Sequence, residues 1–210
     1  MDTYTVGNGD AKANVEQKHI DGLIAEYTRF LANRTESFWG SITEADEAGV
    51  ALAVREAEQY DGPIVELGTM FGHTTLLLAS LKKSCRYLVT VDNYSWNPFC
   101  LPADVHRTFT KRTLRHAIET ANVSIFDGTT REFFAECNAK PSLALIDASH
   151  EYADVLADID GAIACGAKVI AGHDFCEEHP GVQRAVFERF GSDITVIENV
   201  WIWRRHVRCV

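Results

Sequence analysis

Pro63–Thr75 constrains the fold of this chain more than any other stretch. Ile64, Val65 and Leu67 form a short apolar run with β-branched weight, the pattern of a strand buried on both faces. Glu66 falls near its end, where a central strand holds a carboxylate only if a ligand or a backbone amide satisfies it. Gly68 and Gly72 bracket a tight turn, and Thr74–Leu81 reads as a helix with Leu77, Leu78 and Leu81 inward. Strand, glycine turn and helix N-terminus together make a concavity in which backbone N–H groups meet a ligand at close range. Glycines alone would fit an ordinary βα connection; the buried acid favours a ligand site.

The rest of the chain repeats that alternation. Strands are expected at Tyr87–Val91, Val123–Phe126, Leu143–Ile146, Lys168–Ala171, Ile194–Ile197 and Val200–Trp203. Helices are expected at Val105–Ala121, Thr129–Cys137, Tyr152–Cys165 and from Pro180 to Phe190. Strand–helix alternation implies an α/β fold, a doubly wound and mostly parallel seven-stranded sheet with helices on both faces. The last two strands, joined around Glu198 and Asn199, are too close for a helical crossover, so the last strand must be antiparallel. Residues 1–60 read as an N-terminal helical extension and 61–210 as the sheet domain. The extension offers one helix with Ile20, Leu23, Ile24, Tyr27 and Leu31 on a face. A second starts near Ser41, with Glu44 completing a capping box and Val50, Ala53, Val54 and Ala57 as its stripe. These helices could cover an active site or build a homodimer contact.

Polar residues accumulate where the parallel strands end: Glu66, Asp92, Asp127, Asp147, His173 and Asp174. Those ends line the ligand crevice of an open α/β sheet, so side chains distant in sequence should converge there. Asp92 stands where an acid can take both hydroxyls of a ribose. His150, about one helical turn beyond Asp147, suits a general base because imidazole changes charge near neutral pH. Asn93–Pro102, with Tyr94, Trp96 and Phe99, is either an apolar wall for an acceptor or core packing. A net charge of −10 and a pI near 5.2 speak against a nucleic-acid surface. Arg204, Arg205, His206 and Arg208 are expected to be a solvated tail. No apolar run approaches membrane-spanning length and no signal-peptide core opens the chain, so no membrane association and a cytoplasmic location are expected. The scattered cysteines read as reduced thiols.

The spacing Glu66-x-Gly68-x-x-x-Gly72 differs from the Gly-x-Gly-x-x-Gly of dinucleotide-binding folds. It resembles the glycine-rich loop of class I S-adenosylmethionine-dependent methyltransferases, over roughly Ile64–Trp203. The resemblance implies a Rossmann-like fold and S-adenosyl-L-methionine as cofactor. Glu66, Gly68 and Gly72 would meet its methionine part, Asp92 its ribose, and Asp127, Gly128 and Thr129 its adenine, with Thr69, Asn93 and Asp147 also at the cofactor. Asp147-x-x-His150-x-Tyr152 is similar to the small-molecule O-methyltransferases of the catechol type, and closer to the macrocin O-methyltransferase-like branch. In the catechol type the aspartate binds a divalent ion and the residue three further on, a lysine there, is the base. The implied reaction is methyl transfer to a hydroxyl of a small-molecule acceptor. Its base would be His150, and a divalent metal, magnesium or manganese, would sit on Asp147, His173 and Asp174. His173 departs from the family's acid-and-amide pattern and makes the set less purely oxygen than magnesium prefers; a strand-end imidazole bonded to a neighbouring carboxylate is the competing account. Alternatives are a metal-independent N- or C-methyltransferase using His150, a non-catalytic nucleotide-binding module and a dinucleotide oxidoreductase.

Overall fold

The computed structural model describes residues 42–205 and, before them, a few positions of a helix between residues 18 and 29. Of the first expected helix, Ile20, Ile24, Tyr27 and Leu31 lie outside the described residues, as do His206 and Arg208. Strands β1 (Ile64–Leu67), β2 (Leu88–Asp92), β3 (Val123–Asp127), β4 (Leu143–Ile146), β5 (Val169–Gly172), β6 (Thr195–Ile197) and β7 (Val200–Arg204) form one sheet of seven in the order β3-β2-β1-β4-β5-β7-β6. The first five are parallel, and β7 pairs antiparallel with both β5 and β6. Val65, for instance, sits level with Val89 and Ala144, which aligns the C-terminal ends of β2, β1 and β4 into one edge.

Helices α1 (Glu44–Ala57), α2 (His73–Leu81), α3 (Ala103–Thr120), α4 (Thr130–Glu136), α5 (Tyr152–Ala164) and α6 (Pro180–Phe190) cover both faces. Val50, Ala53, Val54 and Ala57 of α1 join Ile64, Leu143, Val169 and Val200 in one core layer. A Cβ on Gly49 would stand 2.6 Å from Val200 Cβ, so only glycine lets α1 lie this close to the sheet. The second helix of the expected extension is therefore built into the domain core. Its cap also shifts: Thr43, not Ser41, is the N-cap, in a capping box with Asp46. On the other face Val155, Ile159, Val182 and Val186 pack with Val65, Ile146 and Trp201. Trp203 stacks on Phe190 at 4.7 Å, as packing residues should.

Two local expectations change. Leu81 is 39 % exposed, because α2 ends at this residue and its last turn leaves the core. Arg204 pairs with Glu56, and Arg205 donates to the carbonyls of Ala167 and Ile163, so both are tied to the domain and neither belongs to a solvated tail.

Candidate active site

The glycine turn is held by its neighbours. The amide of Gly68 donates to Val91 O, and that of Asp147 donates to Leu67 O, which stitches the ends of β2, β1 and β4 together. Gly68 has φ +94°, and a Cβ there would collide with the carbonyl oxygen of Asp147. Gly72, at φ +91°, heads α2, and a Cβ would meet Leu114 of α3 at 2.7 Å. Both glycines are thus demanded by packing as well as by backbone conformation. Leu23 joins Phe71 and Phe109 in a small buried cluster, placing the first helix against this turn.

Each acid on the β1–β3 side is engaged by the chain itself. Asp92 Oδ2 accepts from the amides of Thr69 and Met70, at 2.9 and 2.8 Å, and Oδ1 accepts from Tyr94 N at 2.7 Å. It therefore shapes the glycine turn, while Oδ1 keeps one further lone pair. Thr69 turns its hydroxyl inward to Thr90. Glu66 has no exposed surface and receives a hydrogen bond from Thr75 Oγ1; its Oε1 has no aligned partner among the described residues. Burial, helped by the charges of Asp147 and Asp92, pushes its pKa up to about 8. Glu66 thus lies in the floor beneath the rim. Asn93 accepts from Ser95 N in a local turn. Asp127 pairs with Arg107 at 2.7 Å, Gly128 follows it, and Thr129 caps α4 in a box with Glu132. In the following loop Tyr94 is buried and Phe99 packs on Phe71, whereas Trp96 is 63 % exposed.

The β4–β5 side is different. Asp174, at φ +58°, presents one carboxylate to three imidazoles: His150 Nε2 at 2.8 Å, His173 Nδ1 at 3.2 Å and His179 Nε2 at 3.8 Å. A non-glycine residue in the left-handed region is strained, and such strain gathers at functional sites. Burial works against the ionised form of Asp174, but the close imidazoles of His150 and His173 hold its pKa well below the usual carboxylate range. The hydrogen bond to Asp174 raises the pKa of His150.

His173 is 9 % exposed and sits between acids, with Asp46 Oδ2 3.2 Å from Nε2 and Asp147 Oδ1 3.9 Å from Nδ1. None of its carboxylate contacts is aligned as a hydrogen bond, so both nitrogens are buried beside negative charge without a true partner. Burial alone would lower its pKa; Asp174 and Asp147, with Asp46 behind, raise it to about 10. Burial and the nearby Asp174 raise Asp147 to about 7, partly offset by His173.

Ligand atoms of Asp147, His173 and Asp174 all lie within 4.8 Å of one another, the spread a single ion could gather. A carboxylate behind a ligating imidazole, as Asp46 is behind His173, is the usual outer support of a metal site. The three residues therefore fit a divalent ion, and the imidazole suits manganese better than magnesium.

Sequence reasoning missed Asp46 and His179. Asp46 is fully buried and also accepts from Asn199 N at 3.1 Å, a contact across 153 residues that no local pattern reveals. His179 lies just before Pro180, and that helix-start signal concealed its approach to Asp174.

A sheet in this order, with a glycine turn after β1 and polar residues along the strand ends, defines the class I methyltransferase fold. Residues 65–174 match a family model described as a methyltransferase domain, and the chain belongs to that family. No curated protein matches by sequence. Solved structures share the fold. CalS11, a TDP-rhamnose 3'-O-methyltransferase of calicheamicin biosynthesis, superposes with a TM-score of 0.63 at 15 % identity, over 96 % of this chain and 97 % of its own. TomG from Streptomyces achromogenes, an O-methyltransferase solved with SAM, gives 0.58 at 16 %, over 79 % and 82 %. An O-methyltransferase from Bacillus cereus solved with SAH gives 0.59 at 16 %, over 90 % of each chain.

Proposed function

We propose that this chain transfers the methyl group of S-adenosylmethionine to a hydroxyl oxygen of a small molecule. The observation that carries this reading is the His150–Asp174 pair at 2.8 Å, placed on the rim one strand from the glycine turn. A carboxylate 2.8 Å from Nε2 favours the tautomer protonated there, which leaves the lone pair of the neutral His150 ring on Nδ1, where it can accept the acceptor's proton. The oxygen then forms a bond to the methyl carbon, the carbon–sulfur bond breaks, and its electron pair stays on sulfur as S-adenosylhomocysteine. Charge is neutralised as anionic oxygen meets sulfonium, and the crevice acts chiefly by alignment. Backbone groups of the Gly68–Gly72 turn, shaped by Asp92, would hold the methionine part, with Glu66 in the floor beneath its ammonium. Asp92 and Asn93 would meet the ribose through their spare accepting capacity, and Asp127–Thr129 would border the adenine. A divalent ion on Asp147, His173 and Asp174 would act as a Lewis acid that lowers the pKa of the acceptor hydroxyl.

A second reading, transfer without a metal, is favoured by the position of His173. With both ring nitrogens facing carboxylates, an imidazolium there already supplies a positive charge among Asp46, Asp147 and Asp174. No helix among the described residues is long and apolar enough to cross a membrane, and we place the protein in the cytoplasm. Thermal shift with S-adenosylhomocysteine against NAD tests the cofactor. A melting temperature raised by S-adenosylhomocysteine alone is expected; a response only to NAD would overturn the reading. Manganese titration followed by a chelator separates the two mechanisms.

A further inference from the structure

Around Asp174 the structure builds a second group of metal-type ligands. His150, Asp174 and His179 also bring one ligand atom each within 4.8 Å of one another. The two imidazole rings lie 4.0 Å apart, and Nε2 of each faces the same carboxylate, at 2.8 and 3.8 Å. The nearer distance runs to Oδ2 and the longer to Oδ1, so the carboxylate offers one oxygen towards each ring. The side chains of His150 and His179 are 43 % and 32 % exposed, so an ion has a route in from solvent. The inner group offers one imidazole, 9 % exposed and surrounded by acids.

We infer that His150, Asp174 and His179 form a separate site for a zinc-class ion, and that an ion bound there silences the base. Two imidazoles and one carboxylate make a donor set that suits zinc or cobalt(II) better than the one-imidazole inner set does. Three protein ligands leave the fourth position to water, as in open zinc sites. An ion on Nε2 of His150 displaces the Nε2 proton, so the neutral ring keeps its proton on Nδ1. The atom that would accept the acceptor's proton then has no lone pair. Ion binding needs only the geometry; the loss of turnover rests on the role proposed for His150.

Zinc affinity is measured by competition with a chromophoric chelator, on the purified full chain and on His179→Gln. His179 is half-exposed at a helix start, and glutamine preserves its size. The expected result is zinc binding by the unaltered protein and an affinity at least ~10-fold lower in His179→Gln. Absence of zinc binding, or equal affinity in the two proteins, overturns the site. A second arm uses cobalt(II) and His173→Asn, which impairs the inner group. The visible absorption of bound cobalt should persist in His173→Asn and vanish when His179→Gln is added; the reverse dependence assigns the ion to the inner group and overturns the proposal. Calorimetry with S-adenosylhomocysteine on every variant confirms folding and tests the cofactor reading independently of zinc.

Discussion

The β3-β2-β1 half of the rim and the β4-β5 half carry similar residues and hold them differently. Asp92 is wrapped by three backbone amides, Asp127 is paired with Arg107, and Glu66 is held neutral by burial. Across the Gly68–Asp147 contact, Asp46, Asp147 and Asp174 share three histidines, with buried ring nitrogens that no hydrogen bond fully satisfies. The first half is a finished mould, suited to a cofactor of fixed shape. The second has charge still to be satisfied, which is what moving a proton or holding a cation requires.

If the first half is a mould, breaking its central acid should have the largest effect. Asp92→Ala removes three charge-assisted hydrogen bonds, each worth about 1.5–3 kcal/mol. It should therefore lower stability by several kcal/mol and S-adenosylhomocysteine affinity by about 100-fold or more. Wild-type affinity in calorimetry would mean that the turn keeps its shape unaided. Glu66→Gln comes next. Its folded pKa of about 8 exceeds the ordinary 4.5, so between those values the folded chain retains a proton that the unfolded chain has released. Stability should be fully present below about pH 4.5, fall as pH rises through that window, and level off above about 8. Glutamine should flatten this slope and leave the variant more stable near pH 8, by an amount on the order of a few kcal/mol. Parallel denaturation curves for the two proteins across that range would show that Glu66 is not protonated in the fold.

Much of this was legible from residue order because strand ends are marked by a change from apolar to polar, and the α/β topology does the rest. Leu143–Ile146 and Pro180–Phe190 fall where the pattern places them, each bounded by sharp chemistry. What stayed hidden is the division of labour along the rim. Asp92 and Asp174 look alike as strand-end acids, yet one meets amides two and twenty-two residues away and the other meets rings from separate loops. Asp46 was hidden for a related reason: its local role, capping α1 with Thr43, is complete by itself and leaves no sign of the second contact. Gly72 shows the limit from the other side, since its spacing suggests a ligand while Leu114 also requires it.

The contrast sharpens at Asp46, the acid that reaches the β4-β5 half from α1. Its Oδ2 accepts from Thr43 N and Thr43 Oγ1 and also faces His173, while Oδ1 accepts from Asn199 N. Asparagine has one accepting oxygen, so Asp46→Asn must turn an NH2 towards one of these neighbours. If it faces His173, it favours a proton on Nδ1, the nitrogen from which an ion beside Asp147 and Asp174 would have to displace one. Manganese affinity should fall about 10–100-fold, the range for loss of an outer carboxylate. Thr43→Val breaks the cap and leaves the Asp46–His173 contact, so it should lower the melting temperature with little change in manganese affinity. Equal ion affinity in Asp46→Asn and the unaltered chain would reduce Asp46 to a cap.

The smallest effect belongs at the outer end of the mould. Arg107 and Asp127 form a two-point pair, with side chains 37 % and 38 % exposed. Solvent screens such a pair, and exposed ion pairs contribute about 0–1 kcal/mol. Arg107→Ala should therefore leave stability nearly unchanged, but it leaves Asp127, at the edge proposed to border the adenine, with Lys111 at 3.9 Å as its remaining cation. If Asp127 then accepts from the adenine amino group, S-adenosylhomocysteine should bind at least as tightly as before; if Arg107 itself shapes that edge, affinity should drop without a loss of melting temperature. Calorimetry paired with a melting curve separates the two, because a mould built from fold contacts loses both together and a ligand wall loses only one.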